Sequence, residues 1–229
     1  MKIHSNLIQF PLIKKILLLL LLLIFNKAES QNYSWDTSLK INREKYHIST
    51  RSANDSEVVI MVKKNSKLLQ KVTLPKDGLM DFDLLDFNKD GRPDILVTYM
   101  NNHPWNMLWL FDKSTDRFRE VKGFEDFPEA IQLKTYHHYY YSYHSAGCAD
   151  GNWVSDLFKI ENFRAIQVGH INTQGCEEPF TVKVYKSNPS GKLRKKPIDN
   201  IPYKKTWDYE NSKWGFLNAY WNNNWRKFL

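Results

Sequence analysis

The nine residues Asp86-Phe87-Asn88-Lys89-Asp90-Gly91-Arg92-Pro93-Asp94 decide how the rest of the chain is read. Oxygen-bearing side chains stand at positions 1, 3, 5 and 9 of this stretch, and glycine at position 6. Calcium takes about 6–8 oxygen ligands, and alternate residues of a tight loop turn their side chains inward. Gly91 admits the sharp turn, and Arg92 at position 7 would offer its backbone carbonyl. A helix-flanked calcium loop needs a Glu at position 12, but that position is Val97, inside the run Ile95-Leu96-Val97-Thr98-Tyr99. Both flanks read as strands, so the loop joins two strands. Three carboxylates crowded into one turn repel each other without a cation. Calcium held by Asp86, Asn88, Asp90, Arg92 and Asp94 is therefore expected, with an ordinary Asn/Asp/Gly turn as the competing reading. A single copy implies one structural ion.

Outward from the loop, the recurring signal is alternation of apolar and polar residues. Val58-Val59-Ile60-Met61-Val62 and Thr181-Val182-Lys183-Val184-Tyr185 are rich in β-branched residues and separated by polar turns. A longer pattern appears four times: an apolar strand end, a short polar turn, and a basic residue opening the returning strand. Aligning Val62, Phe111, Phe158 and Tyr185 gives spacings of 49, 47 and 27. Units of this size, each a hairpin or small antiparallel sheet, predict an all-β, propeller-like arrangement. The shortened third spacing keeps a β-sandwich built of hairpins open as the alternative.

The ends of the chain differ from this body. Lys2, Lys14 and Lys15 precede ten unbroken apolar residues, 16–25, and Ala28 and Ser30 stand at the −3 and −1 positions before Gln31. The apolar run is too short to span a bilayer, and the layout is that of a cleaved signal peptide over residues 1–30. Periplasmic or secreted export follows, with no transmembrane segment in the mature chain. The remaining residues carry 29 Lys+Arg against 24 Asp+Glu, a net +5, with residues 186–229 at +7. An exported chain seldom meets nucleic acid, so that class of partner is set aside. The 42% hydrophobic content and nine glycines exclude disorder and a collagen-like fibre. The two cysteines, Cys148 and Cys176, are expected to pair in an oxidising compartment. Closing that loop would stabilise by roughly 3–4 kcal/mol.

A β domain is expected over residues 31–200, and a basic, aromatic segment over 201–229. In the latter, Trp214, Leu217, Trp221, Trp225 and Phe228 recur at helical spacing, with Asn211 or Ser212 as the cap. This helix either packs its aromatic face on the β domain or docks on a partner or membrane. Residues 136–144, read as a strand, put Tyr136, His138, Tyr140, Ser142 and His144 on one face. His137, Tyr139, Tyr141 and Tyr143 take the other. Adjacent His137 and His138 then diverge and cannot share a metal. The stretch is either a wall between sheets or an aromatic patch for a protein or glycan.

Asp150, Asp156, Glu177 and Glu178 lie near the cysteines and are the only candidates for a glycosidase-like carboxylate pair. The chain has no G-x-S-x-G, no H-E-x-x-H and no glycine-rich phosphate loop, and the reading is of a non-enzyme.

The DxNxDGxxD loop between strands resembles integrin-type FG-GAP and related propeller repeats. An exported β protein of this size with one such loop resembles bacterial periplasmic proteins that include immunity proteins inhibiting lysozyme-like peptidoglycan hydrolases. The resemblance covers residues 81–121, and the Cys148/Cys176 pair and aromatic tail depart from it. It implies a propeller-like fold with bound calcium, and it marks Asp86, Asn88, Asp90, Arg92 and Asp94 as ligands. The expected function is an exported, calcium-stabilised binding protein inhibiting such a hydrolase. The alternative is a secreted carbohydrate-active enzyme.

Overall fold

Alternating burial along successive strands, with left-handed turns between them, builds the chain into antiparallel meanders. The computed structural model describes residues 34–188 and 191–229, so the expected leader and mature start at Gln31 lie outside the described residues. The first sheet is β1 (Asp36–Ile41), β2 (Glu44–Ser52), β3 (Glu57–Lys64) and β4 (Lys67–Pro75), paired in chain order. Its tight turns place Asn42-Arg43 and Asn65-Ser66 at φ of 51°, 70°, 47° and 69°. These are the positive values that two-residue hairpin turns need to match strand twist.

The second sheet repeats the plan with β5 (Leu79–Leu85), β6 (Asp94–Met100), β7 (Pro104–Asp112) and β8 (Arg117–Glu120). The third runs in the order β15-β14-β13-β12-β10-β9. These strands are β9 (Ile131–Gln132), β10 (Tyr139–Tyr141), β12 (Trp153–Glu161), β13 (Arg164–Gln174), β14 (Thr181–Lys186) and β15 (Asp199–Pro202). A short β11 (His144–Ser145) also pairs with β12.

The second sheet lies between the other two. Along β7, Trp109 and Phe111 join Tyr46, Ile48 and Val62 of the first sheet in one core. The alternate residues Leu108 and Leu110 join Phe124, Tyr140 and Phe158 in another, against the third sheet. A strand buried on both faces loses the polar half of its alternation, which explains the unbroken apolar reading of β6 and β7. The far face of the third sheet is covered by helix α1 (Lys213–Asn224) and the 3-10 turn Trp225–Phe228. The all-β class with a C-terminal helix is thus what the chain adopts. The three sheets do not close into a ring among the described residues.

Four local expectations change. The hairpins after Val62, Phe111 and Phe158 form, but Tyr185 leads only to an isolated bridge between Ser187 and Leu193. Ser212, at the helix N-cap position, makes no side-chain capping hydrogen bond. The buried helix face is Phe216, Leu217, Tyr220 and Trp221, continuing into Trp225 and Phe228, while Trp214 stays 41% exposed. Residues 136–144 are not one strand. A turn in which the Tyr139 amide donates to the Tyr136 carbonyl (3.1 Å) breaks the alternation, and Tyr136 stacks on Trp225 at 4.0 Å. Beyond the turn the alternation holds: Tyr139, Tyr141 and Tyr143 pack toward the helix, and Tyr140 packs toward the second sheet.

Candidate functional site

The 86–94 loop connects β5 to β6 and is shaped by its own acceptors. Asp86 Oδ1 accepts from the Asp90 amide and its Oδ2 from the Gly91 amide, both at 2.9 Å. Asn88 Oδ1 accepts from the Asp90 amide (3.1 Å), and Asp90 Oδ1 from the Arg92 amide (3.0 Å). Lys89 and Gly91 take φ of 56° and 82° to close the curl. Short polar side chains bonding their own backbone are what makes Asx residues turn formers.

Asp94, the first residue of β6, behaves differently. It is completely buried; its Oδ2 accepts from the Phe87 amide (3.0 Å) and its Oδ1 from the Phe111 amide on β7 (2.9 Å). Burial pushes its carboxyl up to about 7, against the pull of those amides, and the charge of Asp90 adds to the rise. Among the described residues, no basic side chain forms an ion pair with it. Arg92 turns instead to Asp90 Oδ2, at 3.4 Å, and its buried Nε has no hydrogen-bond partner. The structure therefore gathers Asp86, Asn88 and Asp90 in one turn and anchors Asp94 beneath it. Among the described residues, no three His, Cys, Asp or Glu side chains converge as a ready metal cluster.

The loop also touches the third sheet. Phe87 stacks on Tyr140 (5.0 Å) and meets Phe124 edge-on (5.3 Å). Gln132 Nε2 donates to the His137 carbonyl (2.8 Å) and lies 3.5 Å from the Asn88 carbonyl. Burial pushes the Tyr140 phenol up to about 12, with the loop carboxylates adding to it.

A second cluster surrounds the cysteines. Cys148 and Cys176 lie at disulfide distance, with Cα atoms 6.5 Å apart. Gly151 sits against them so closely that an added Cβ would stand 2.5 Å from Cys176 Sγ. Asp150 accepts from the Tyr143 hydroxyl and from the Lys213 ammonium, which donates also to the Tyr143 oxygen at 2.8 Å. Partial burial would raise the Asp150 carboxyl, but the hydrogen bonds from Lys213 and Tyr143 outweigh it and hold the group below the usual range. Burial raises the nearby Glu129 carboxyl, and the charge of Asp150 raises it further.

The other carboxylates read from sequence go elsewhere. Asp156 is buried against His170 Nδ1 (2.7 Å) and Gln167, while Glu177 and Glu178 are exposed. Glu129 and Lys213 were not legible beforehand, because they are far in sequence from Asp150 and sit in no motif.

No protein-family model and no curated protein matches the chain. It is similar to a solved chain described as "Structure of a Xanthomonas Type IV Secretion System related protein", at 16% identity. The match covers 72% of this chain and 93% of that one, with a TM-score of 0.47, a likeness too loose to bear on fold or function.

Proposed function

We propose that the protein is an exported, calcium-stabilised binding protein of propeller-like build that inhibits a peptidoglycan hydrolase. The observation that carries the calcium part is Asp94. It is a fully buried carboxylate that forms no ion pair among the described residues, anchored under a turn whose side-chain acceptors are Asp86, Asn88 and Asp90. A buried charge without a partner is costly, and a divalent ion removes that cost. The donor set fits calcium, being all hard oxygen: the side chains of Asp86, Asn88, Asp90 and Asp94 with the carbonyl of Arg92. The ion supplies charge neutralisation and no chemistry. Contacts of Phe87 with Tyr140 and of Asn88 with Gln132 would pass the ordering of the loop to the packing between sheets. The inhibitor part rests on the sequence resemblance over residues 81–121.

Calcium that binds only the folded loop stabilises by about 2.7 kcal/mol at a hundredfold excess over Kd. Exported modules bind at about 10⁻⁴–10⁻³ M, so the test uses millimolar calcium. Each kcal/mol moves the melting midpoint of a domain this size by about 2–4 °C. The midpoint should rise several degrees from chelator to calcium, and Asp90→Ala should lose most of the rise. Identical melting in both would overturn the calcium reading. Separately, the mature protein should slow lysis of cell walls by a lysozyme-type hydrolase; unaltered lysis across a panel of such enzymes would overturn the inhibitor reading.

A further inference from the structure

We propose that the cleft beside the Cys148/Cys176 loop is a binding site for a neutral saccharide, with Trp214 stacking on a sugar face and Glu129, Asp150 and His144 meeting its hydroxyls. The proposal goes beyond the calcium and inhibitor readings and depends on neither.

Three independent features converge there. The first is a cavity of about 330 Å³, lined by Pro128, Glu129, Tyr143, His144, Asp150 and Trp214 among others. Small-ligand sites lie at about 300–1,000 Å³ and pair an aromatic wall with a few convergent polar groups. The second is backbone conformation. Setting aside the hairpin turns and Lys89 of the 86–94 loop, the non-glycine residues with left-handed φ among the described residues are Glu129, Cys148, Ala149, Asp150, Asn211 and Ser212. All six flank this cleft, through its lining residues or through Lys213, which reaches Asp150. Strained backbone persists where the surrounding structure holds it in place, and it concentrates at ligand clamps. The third is exposure. The exposed aromatic residues among the described ones are Phe180, Trp207, Tyr209 and Trp214. Trp214 lines the cleft, and Tyr203 links Phe180 and Trp207 to Gly151 beside the cysteine pair.

The chemistry selects the ligand class. Lys213 is already committed to Asp150 and Tyr143, so the lining offers no free ammonium to a phosphate or carboxylate. With Glu129 the lining carries an excess of negative charge, which disfavours anions further. The apolar wall is Trp214, the Tyr143 ring and the edges of Pro104 and Pro128, with no aliphatic side chain for a lipid tail to pack on. Carboxylate oxygens accept and His144 also donates, while the Ser145 hydroxyl is turned to Asp150, and a ligand that donates and accepts around an apolar face is a sugar ring. Trp214 is held against the cleft by Tyr143, with ring centroids 4.1 Å apart at a 55° tilt, and the Lys213 ammonium, bonded to the Tyr143 oxygen, lies 5.4 Å from its centroid.

The test is titration of the whole mature protein, in calcium, with the tetramer of β-1,4-linked N-acetylglucosamine and with cellotetraose, read by calorimetry and tryptophan fluorescence. At least one should bind saturably, and Trp214→Ala should weaken it about tenfold or more. Glu129→Gln should weaken it by several-fold. Trp214 is 41% exposed and otherwise packs on Tyr143, so each variant's melting is measured alongside its affinity; Trp214→Phe, which keeps an aromatic face, should bind better than Trp214→Ala, and Trp207→Ala, outside the lining, should leave affinity unchanged. The proposal is overturned if neither sugar binds by about 10 mM, tenfold above a millimolar Kd. It is equally overturned if Trp214→Ala binds like wild type, or if a trilysine peptide binds the cleft and the sugars do not.

Discussion

The 86–94 loop and the 148–151 loop are both acidic, both sharply bent and both set against the third sheet, yet they handle charge in opposite ways. Around Asp150 the chain supplies its own counter-ion: Lys213 arrives from the start of α1 and Tyr143 from beside β10, and the carboxyl is held ionised. Around Asp94 the chain supplies only amides, and burial pushes the carboxyl up to about 7. A site neutralised from within is free to be a rigid rim. A site left unneutralised keeps a cost that the proposed calcium ion would offset.

The largest break in this comparison should come from Cys148→Ser. Cross-linking across a sequence separation of 28 stabilises by roughly 3–4 kcal/mol, and thermal melting of the variant should show a loss of that order. The 86–94 loop should keep its calcium response, because no element of it rests on the cysteine pair.

Asp94→Ala should come next. It strands the Phe87 and Phe111 amides, at about 1–3 kcal/mol for a buried unsatisfied group, and should abolish the shift between calcium and chelator. Asp94 also sets a pH slope. Its folded value of about 7 lies above an ordinary value near 4, so between the two the folded chain keeps a proton that the unfolded chain has released. In chelator, stability should therefore fall as pH rises from about 4 to 7. Calcium should flatten that slope and Asp94→Asn should remove it; a chelator curve that rises over this window would contradict the assignment.

Gly91→Ala sharpens the comparison from the backbone side. Nothing lies within 4 Å of an added Cβ, so the cost comes only from holding alanine at φ +82°, about 1 kcal/mol by chemical denaturation. Lys213→Ala should have the smallest effect on stability, about 0.5–1 kcal/mol, because the Asp150 side chain is 43% exposed and water replaces much of the lost pairing. Its effect should shrink further in high salt, where that of Asp94→Ala should not.

Periodicity and spacing by themselves determined the class of this fold. The β-branched run Val58-Val59-Ile60-Met61-Val62 and the alternation in Thr181-Val182-Lys183-Val184-Tyr185 mark β3 and β14, because branched side chains and a period of two suit a pleated surface. The apolar stripe after residue 213 marks α1, and the Asx-rich nonapeptide marks a turn between two strands, because these signals are local and each residue's neighbours in sequence are its neighbours in space. Only the tertiary structure decided where the sheets stack, that Tyr136 turns back to Trp225, that Asp94 is buried without an ion pair while Asp150 is paired, and that Glu129, Asp150 and Trp214 line one cleft. Lys213 reaches Asp150 across 63 residues of chain. Contacts of that range are set by how sheet faces pack, and the composition of neither segment carries a trace of the other.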